Sequence, residues 1–327
     1  MSDPLITIAH YLFGWTLITL ALSWLLAGIY PLFSRSLSKL NAMRASFFTL
    51  LYSLLPLAAA SLTLIALSLP NLAFSFVADH CHGALCTPHT LYMTTDTIEG
   101  IVFIAFAVTA LTSVFVLMIN QLLNSRKHLQ ALASLSEAGS QSYLLVDSRQ
   151  RLAWCAGLLK PQVYLSKGLV DTLTAQQMRV IMAHEQMHVL RRDNLRKWFL
   201  YWATIAWPTV QKRRVRLNFT NYSECICDFA AAQVNQGKLD LNAVIDALVN
   251  CYSNATDTRT KTRASDADFQ LQQRIRTFEH ELDLQVSNSK KSDIDYLKSG
   301  FFIAGIWTIT VITAIHFGHP LLEWLSK

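Results

Sequence analysis

Thr174-Ala175-Gln176-Gln177-Met178-Arg179-Val180-Ile181-Met182-Ala183-His184-Glu185-Gln186-Met187-His188 is the stretch that the rest of the chain is read against. Thr174 suits a helix N-cap, its hydroxyl taking up a backbone N–H that the first turn leaves without a partner. The run that follows reads as helix. His184 and His188, four apart, then lie on one face, one turn above the other, so both imidazoles can reach a single metal ion. Glu185, beside the first histidine, can approach the metal's bound water and act as general base. The pattern is H-E-x-x-H, and the chemistry it predicts is metal-assisted hydrolysis.

Composition supplies the setting. The 327 residues are 52% hydrophobic and only 15% charged, with a mean hydropathy of +0.29. These values exclude an ordinary soluble enzyme and point to an integral membrane protein. The net charge is +6, and in such a protein basic residues mark cytoplasmic flanks rather than a nucleic-acid site. Lys212-Arg213-Arg214-Val215-Arg216 reads as a solvated or lipid-headgroup face; no recognition motif accompanies it, so direct nucleic-acid binding is not expected. Six cysteines are too few and too scattered for a disulfide framework over the whole chain. The first apolar run is too long, and lacks the basic start, for a cleavable signal peptide.

Residues 1–123 form an expected membrane domain with three spans, about 5–33, 47–77 and 101–122, each long enough for a crossing of about 20 residues. An outer loop, 78–97, holds no Lys or Arg. Residues 124–298 form one polar domain, 299–318 a fourth span, and 319–327 a short tail. The first connector (Arg35, Lys39, Arg44) and the flank at Arg126 and Lys127 are basic, which places the polar domain in the cytosol and both termini outside. Within that domain Leu129, Leu132 and Leu135 continue the helical period of the third span. Residues 141–146 and 162–166 read as strands around a turn at Gly157 and Pro161. Residues 198–210, with three tryptophans, are too short to span and read as a buried or membrane-facing helix. Residues 269–278 read as a short amphipathic helix.

A catalytic zinc takes three protein ligands and keeps one position open for water. In Asn221-Tyr222-Ser223-Glu224-Cys225-Ile226-Cys227-Asp228, Glu224 and Asp228 share a helix face. That spacing suits a ligating glutamate with an aspartate behind it, accepting the N–H of a ligand histidine and so fixing its tautomer. Cys225 and Cys227 read as small buried residues.

The order of motifs resembles the BlaR/MecR-type membrane metallopeptidases, signal-transducing antirepressors with a gluzincin domain in the cytosol. The matching residues are Ala156 through Ser166, His184-Glu185-Gln186-Met187-His188-Val189-Leu190-Arg191-Arg192-Asp193, Trp207-Pro208, and Glu224 through Asp228. The resemblance implies a four-span α-helical membrane protein with an inserted cytosolic α+β zincin-like domain, located in the bacterial plasma membrane. It implies one catalytic Zn2+ held by His184, His188 and Glu224, with Glu185 as base and Asp228 as the outer partner. It further implies a protein substrate (a BlaI/MecI-like repressor, the chain itself, or both), with Arg191, Arg192 and Asp193 structural. The family's named members carry an outer penicillin-binding domain after the last span, and only residues 319–327 follow here, so sensing by acylation is not expected. The expected partners are that substrate, the bilayer and a second copy of the chain.

The outer loop carries its own pattern, Asp79-His80-Cys81-His82-Gly83-Ala84-Leu85-Cys86-Thr87-Pro88-His89. Two readings stand: a Cys81–Cys86 disulfide, or a soft-metal or redox sensor using Cys81, Cys86, His80, His82 and His89. Two further readings of the whole chain also stand. One is a housekeeping peptidase of the HtpX or CAAX-processing kind, and the other is a non-enzymatic membrane receptor for metal or redox state. For the oxyanion of the reaction, Tyr222 and the nearby arginines are the candidates.

Overall fold

The structure is a computed structural model of the chain that describes residues 4–68, 98–140, 142–234, 275–279, 282, 300–314 and 316. It is mostly helical. Helices α1 (Pro4–Leu37), α2 (Ala42–Ser68) and α3 (Ile98–Leu135) are each long and apolar enough to cross a bilayer. Three buried hydroxyls in α2 are satisfied within the helix: Thr49, Ser53 and Thr63 donate to the carbonyls of Ala45, Thr49 and Ala59 at 2.7, 2.8 and 2.8 Å. This is the arrangement an apolar surrounding demands.

Two boundaries differ from expectation for identifiable reasons. α2 begins at Ala42 rather than residue 47, because the Asn41 side chain accepts from the Arg44 N–H at 2.9 Å and caps the helix earlier. The stretch 198–210 is not one helix: α6 (Asp193–Ala203) stops, and α7 (Thr209–Ala232) starts after Pro208. Proline lacks an N–H and disfavours helix in the residue before it, so it serves as the cap of the second helix instead. The expected fourth span appears as helix α8 (Gly300–Ala314), shorter than a full crossing within the described residues. Of the expected amphipathic helix, residues 275–278 are described and helical.

α3 runs unbroken past residue 123 to Leu135, as the leucine period predicts, and then gives way to strand β1 (Ser136–Ser140). Strands β2 (Tyr143–Val146), β3 (Ala153–Ala156) and β4 (Gln162–Ser166) complete a sheet ordered β1-β2-β4-β3, with β2 and β4 parallel. Gly157, at φ 112°, makes the turn out of β3; a Cβ there would lie 2.7 Å from the Lys160 carbonyl oxygen. Helix α4 (Lys167–Val170) follows β4, capped by the Ser166 hydroxyl. Helix α5 (Ala175–Arg191) carries the H-E-x-x-H motif; Thr174 caps it, with Gln177 closing a capping box.

Two apolar junctions hold the site. Val163, Leu165 and Leu169 from the sheet side meet Val180 and Ile181 of α5 and Ala231 and Ala232 of α7. On the other side, the core between α1 and α2 continues into Leu200, Trp207, Val215 and Phe219 of the α6–α7 region. There the Trp207 ring packs edge-on against Tyr30 and Tyr52 at centroid distances of 6.0 and 6.2 Å. Asn218 Nδ2 donates to the Tyr30 hydroxyl at 3.1 Å. The helices of the catalytic region are therefore packed directly on the membrane-length helices.

Candidate metal centre

α5 and α7 lie against each other, and that contact assembles the residues picked out from the sequence. His184 Nε2 is 3.5 Å from Glu224 Oε2, and His188 Nε2 is 3.7 Å from Glu224 Oε1. The two imidazoles stand edge to face with centroids 5.0 Å apart. Their other nitrogens face carboxylates: His184 Nδ1 is 3.1 Å from Asp228 Oδ1, and His188 Nδ1 is 2.8 Å from Asp193 Oδ2. The Asp193 contact is an aligned hydrogen bond, whereas the Asp228 contact is close but off the line of one. An imidazole held through Nδ1 presents the lone pair of Nε2 outward, the state a metal ligand needs.

Electrostatics favour positive charge between these groups. Burial acts to raise the Glu224 pKa, yet hydrogen bonds and charge attraction from His184 and His188 outweigh it and hold the carboxyl well below the usual carboxylate range. Burial likewise acts to lower the His188 pKa, and the bonds to Asp193 and Glu224 outweigh it in the upward direction. Two imidazole nitrogens and a carboxylate, backed by two more carboxylates, form a donor set that suits a zinc ion with one open position.

Cys227 competes for the third place. Its Sγ and the histidine nitrogens lie within 4.8 Å of one another, close enough to hold an ion. But Cys227 Sγ sits 3.3 Å from His188 Nδ1, the nitrogen already engaged by Asp193. It stands behind the ring, while Glu224 faces both Nε2 atoms. Burial, with Asp193 and Glu224 nearby, also pushes the Cys227 thiol pKa far up, away from the thiolate that a metal requires. We therefore place Glu224, not Cys227, at the third position.

Glu185, 8% exposed, lies on the same turn of α5 as His184. Its charge is felt at Cys155 on β3: burial first, then Glu185 and Asp193, push that thiol up to about 12. β3 is the edge strand beside α5. Because the Ser166 N–H donates to the Leu152 carbonyl, alternation turns the backbone groups of Ala153 and Cys155 toward the open edge. Asn194 Nδ2 occupies one of them, donating to the Cys155 carbonyl at 2.9 Å, and also reaches the Gly157 carbonyl at 3.3 Å.

The structure brings His184, His188, Glu224 and Asp228 within a few ångströms of one another, with Glu185 next to His184 on α5. Cys81, Cys86, His80, His82 and His89 lie outside the described residues. Two residues at the site escaped sequence reasoning. Asp193, read as structural, is 1% exposed and holds His188; its signal was its position directly after the motif helix. Lys197 Nζ lies 3.5 Å from Glu224 Oε1. It is four residues beyond Asp193 and so shares its face of α6. Tyr222 packs instead into the apolar junctions with α1 and α2, and Arg216 is bound at the end of α6 by Thr204 and the Tyr201 carbonyl.

A family model described as BlaR1 peptidase M56 matches residues 23–278, from within α1 through the sheet and both site helices. No curated protein and no solved structure matches the chain at a significant level.

Proposed function

Because the chain belongs to the BlaR1 peptidase M56 family, and so is a membrane metallopeptidase, we propose that it is a zinc-dependent endopeptidase whose site is His184, Glu185, His188 and Glu224. The observation that carries this reading is the convergence of both histidine Nε2 atoms on the Glu224 carboxylate. A zinc ion held by His184, His188 and Glu224 would supply Lewis acidity and lower the pKa of a bound water. Glu185 takes a proton from the attacking water and returns it to the leaving amine. His188 and His184 keep their ligating tautomers through Asp193 and Asp228. Lys197 is the cation available to the negative charge that develops on the peptide carbonyl oxygen. The open edge of β3, next to α5, offers an extended peptide backbone groups to pair with.

In the same proposal the chain crosses a bacterial plasma membrane four times, with the inserted α+β domain in the cytosol and both termini outside. The basic flanks support that orientation. A signalling role belongs to the same proposal, with a cytosolic repressor or the chain itself as substrate and a second copy of the chain as a partner. The test is Glu185→Ala in full-length protein in isolated membranes, read as zinc content and as self-cleavage. Zinc should stay bound while cleavage falls about 10²- to 10⁴-fold, the range of general acid–base catalysis. Unchanged cleavage would refute the assignment.

A further inference from the structure

We propose that the N-terminal end of α2, a membrane-length helix, is part of the metal centre, with Ser46 and Arg191 as positioning residues for His188. Asp193 splits its two oxygens between two tasks. Oδ2 accepts from His188 Nδ1 at 2.8 Å, and Oδ1 accepts from Arg191 Nε at 3.2 Å. The same guanidinium reaches out of the catalytic region, and Arg191 Nη2 donates to Ser46 Oγ on α2 at 3.3 Å. Ser46 is fully buried, Asp193 is 1% exposed, and the Arg191 side chain is 9% exposed. A chain of hydrogen bonds in so dry a place is electrostatically strong, and a missing member is costly.

A second contact on the same face of α2 reaches the other ligand helix. Ala42, one turn before Ser46, clusters with Cys225 and Ile226, the two residues after Glu224, and Met187 of the motif packs against that cluster. One turn of a membrane helix thus touches both the helix bearing the histidines and the helix bearing the glutamate. A shift or rotation of α2 moves Ser46 away from Arg191 and relaxes Asp193, and with it the ring of His188. Metal affinity becomes the quantity through which a displacement in the membrane is felt at the site.

This inference rests on the reading of His188 as a metal ligand, and the experiment separates the two. Full-length protein in detergent is titrated with zinc against a chelator, and Co2+-loaded protein is examined by its ligand-field spectrum. Ser46→Ala and Arg191→Lys should each weaken zinc about 3- to 10-fold, less than the roughly 10- to 100-fold cost of losing a direct partner of a ligand. Lysine keeps the charge but cannot bridge Ser46 and Asp193 with one planar fork. Ser46→Thr, which keeps the hydroxyl, should remain within about twofold of wild type and holds the test open if the alanine variant fails to fold. Because the two residues act in one chain, Ser46→Ala combined with Arg191→Lys should bind zinc no more weakly than Arg191→Lys alone. The Co2+ bands should shift in both single variants. Ser53→Ala, a buried α2 serine bonded only to its own helix, serves as the control and should leave affinity and spectrum unchanged. If Ser46→Ala behaves as Ser53→Ala does, or the two losses add, the coupling is refuted while His188 stands as a ligand. If His188→Ala leaves zinc affinity intact, the ligand reading itself falls.

Discussion

The two histidines of the motif are held in different ways. His184 is backed by Asp228, which comes from α7, the same helix that carries Glu224. His188 is backed by Asp193, from the first turn of α6, and through Arg191 by Ser46 of α2. Behind His184 the carboxylate comes from one of two helices packed on each other. The His188 side runs through a sharp chain reversal to a helix of membrane length. Both site helices pack near α2, and in our proposal the hydrogen-bonded route through Arg191 and Ser46 makes the His188 half the adjustable one and the His184 half the fixed one.

The largest expected effect tests whether the adjustable half also supplies the electrophile. Lys197→Ala should lower kcat about 10²-fold, as loss of an oxyanion donor does, with zinc content unchanged. Loss of zinc instead would make Lys197 a support of Glu224 only. Next come the two carboxylates. Asp228→Ala and Asp193→Ala should each weaken zinc about 10- to 100-fold. Only Asp193→Ala should abolish the sensitivity of zinc affinity to Ser46→Ala, and equal sensitivity in both backgrounds would erase the distinction between the halves. The smallest effect concerns the reversal itself. Arg192 has φ 52° and ψ 46°, the only non-glycine residue with positive φ among those described, and its side chain is exposed. It ends α5 and begins α6, which folds Asp193 back onto His188. Left-handed backbone costs a non-glycine residue roughly 1 kcal/mol, so Arg192→Gly should leave thermal stability equal or slightly higher. A marked fall in Tm would mean the side chain, not the turn, holds this corner.

The same contrast explains what could be read in the sequence. His184 and His188, and Glu224 and Asp228, are pairs four apart within helices, so spacing alone puts each pair on one face. The apolar runs identified α1, α2 and α3 because bilayer thickness dictates helix length. The His188 side had no such local signature. Its reversal rests on a left-handed arginine that no pattern marks, and its link to α2 joins residues 145 positions apart. Lys197 was one of many cations until α6 was placed beside α7. Strand β3, Ala153-Trp154-Cys155-Ala156, is too short to show an alternation and exists because β4 pairs with it. β1 begins directly after the last leucine of the α3 period, and its existence likewise depends on pairing, here with β2.

The central claim is that Glu224 completes the metal centre and Cys227 only stands behind it. Zinc per chain, measured on purified full-length wild type, Glu224→Ala and Cys227→Ser, tests this most directly. The account predicts a single tightly bound zinc ion in wild type and in Cys227→Ser, and its loss in Glu224→Ala. Zinc retained by Glu224→Ala and lost from Cys227→Ser would contradict it.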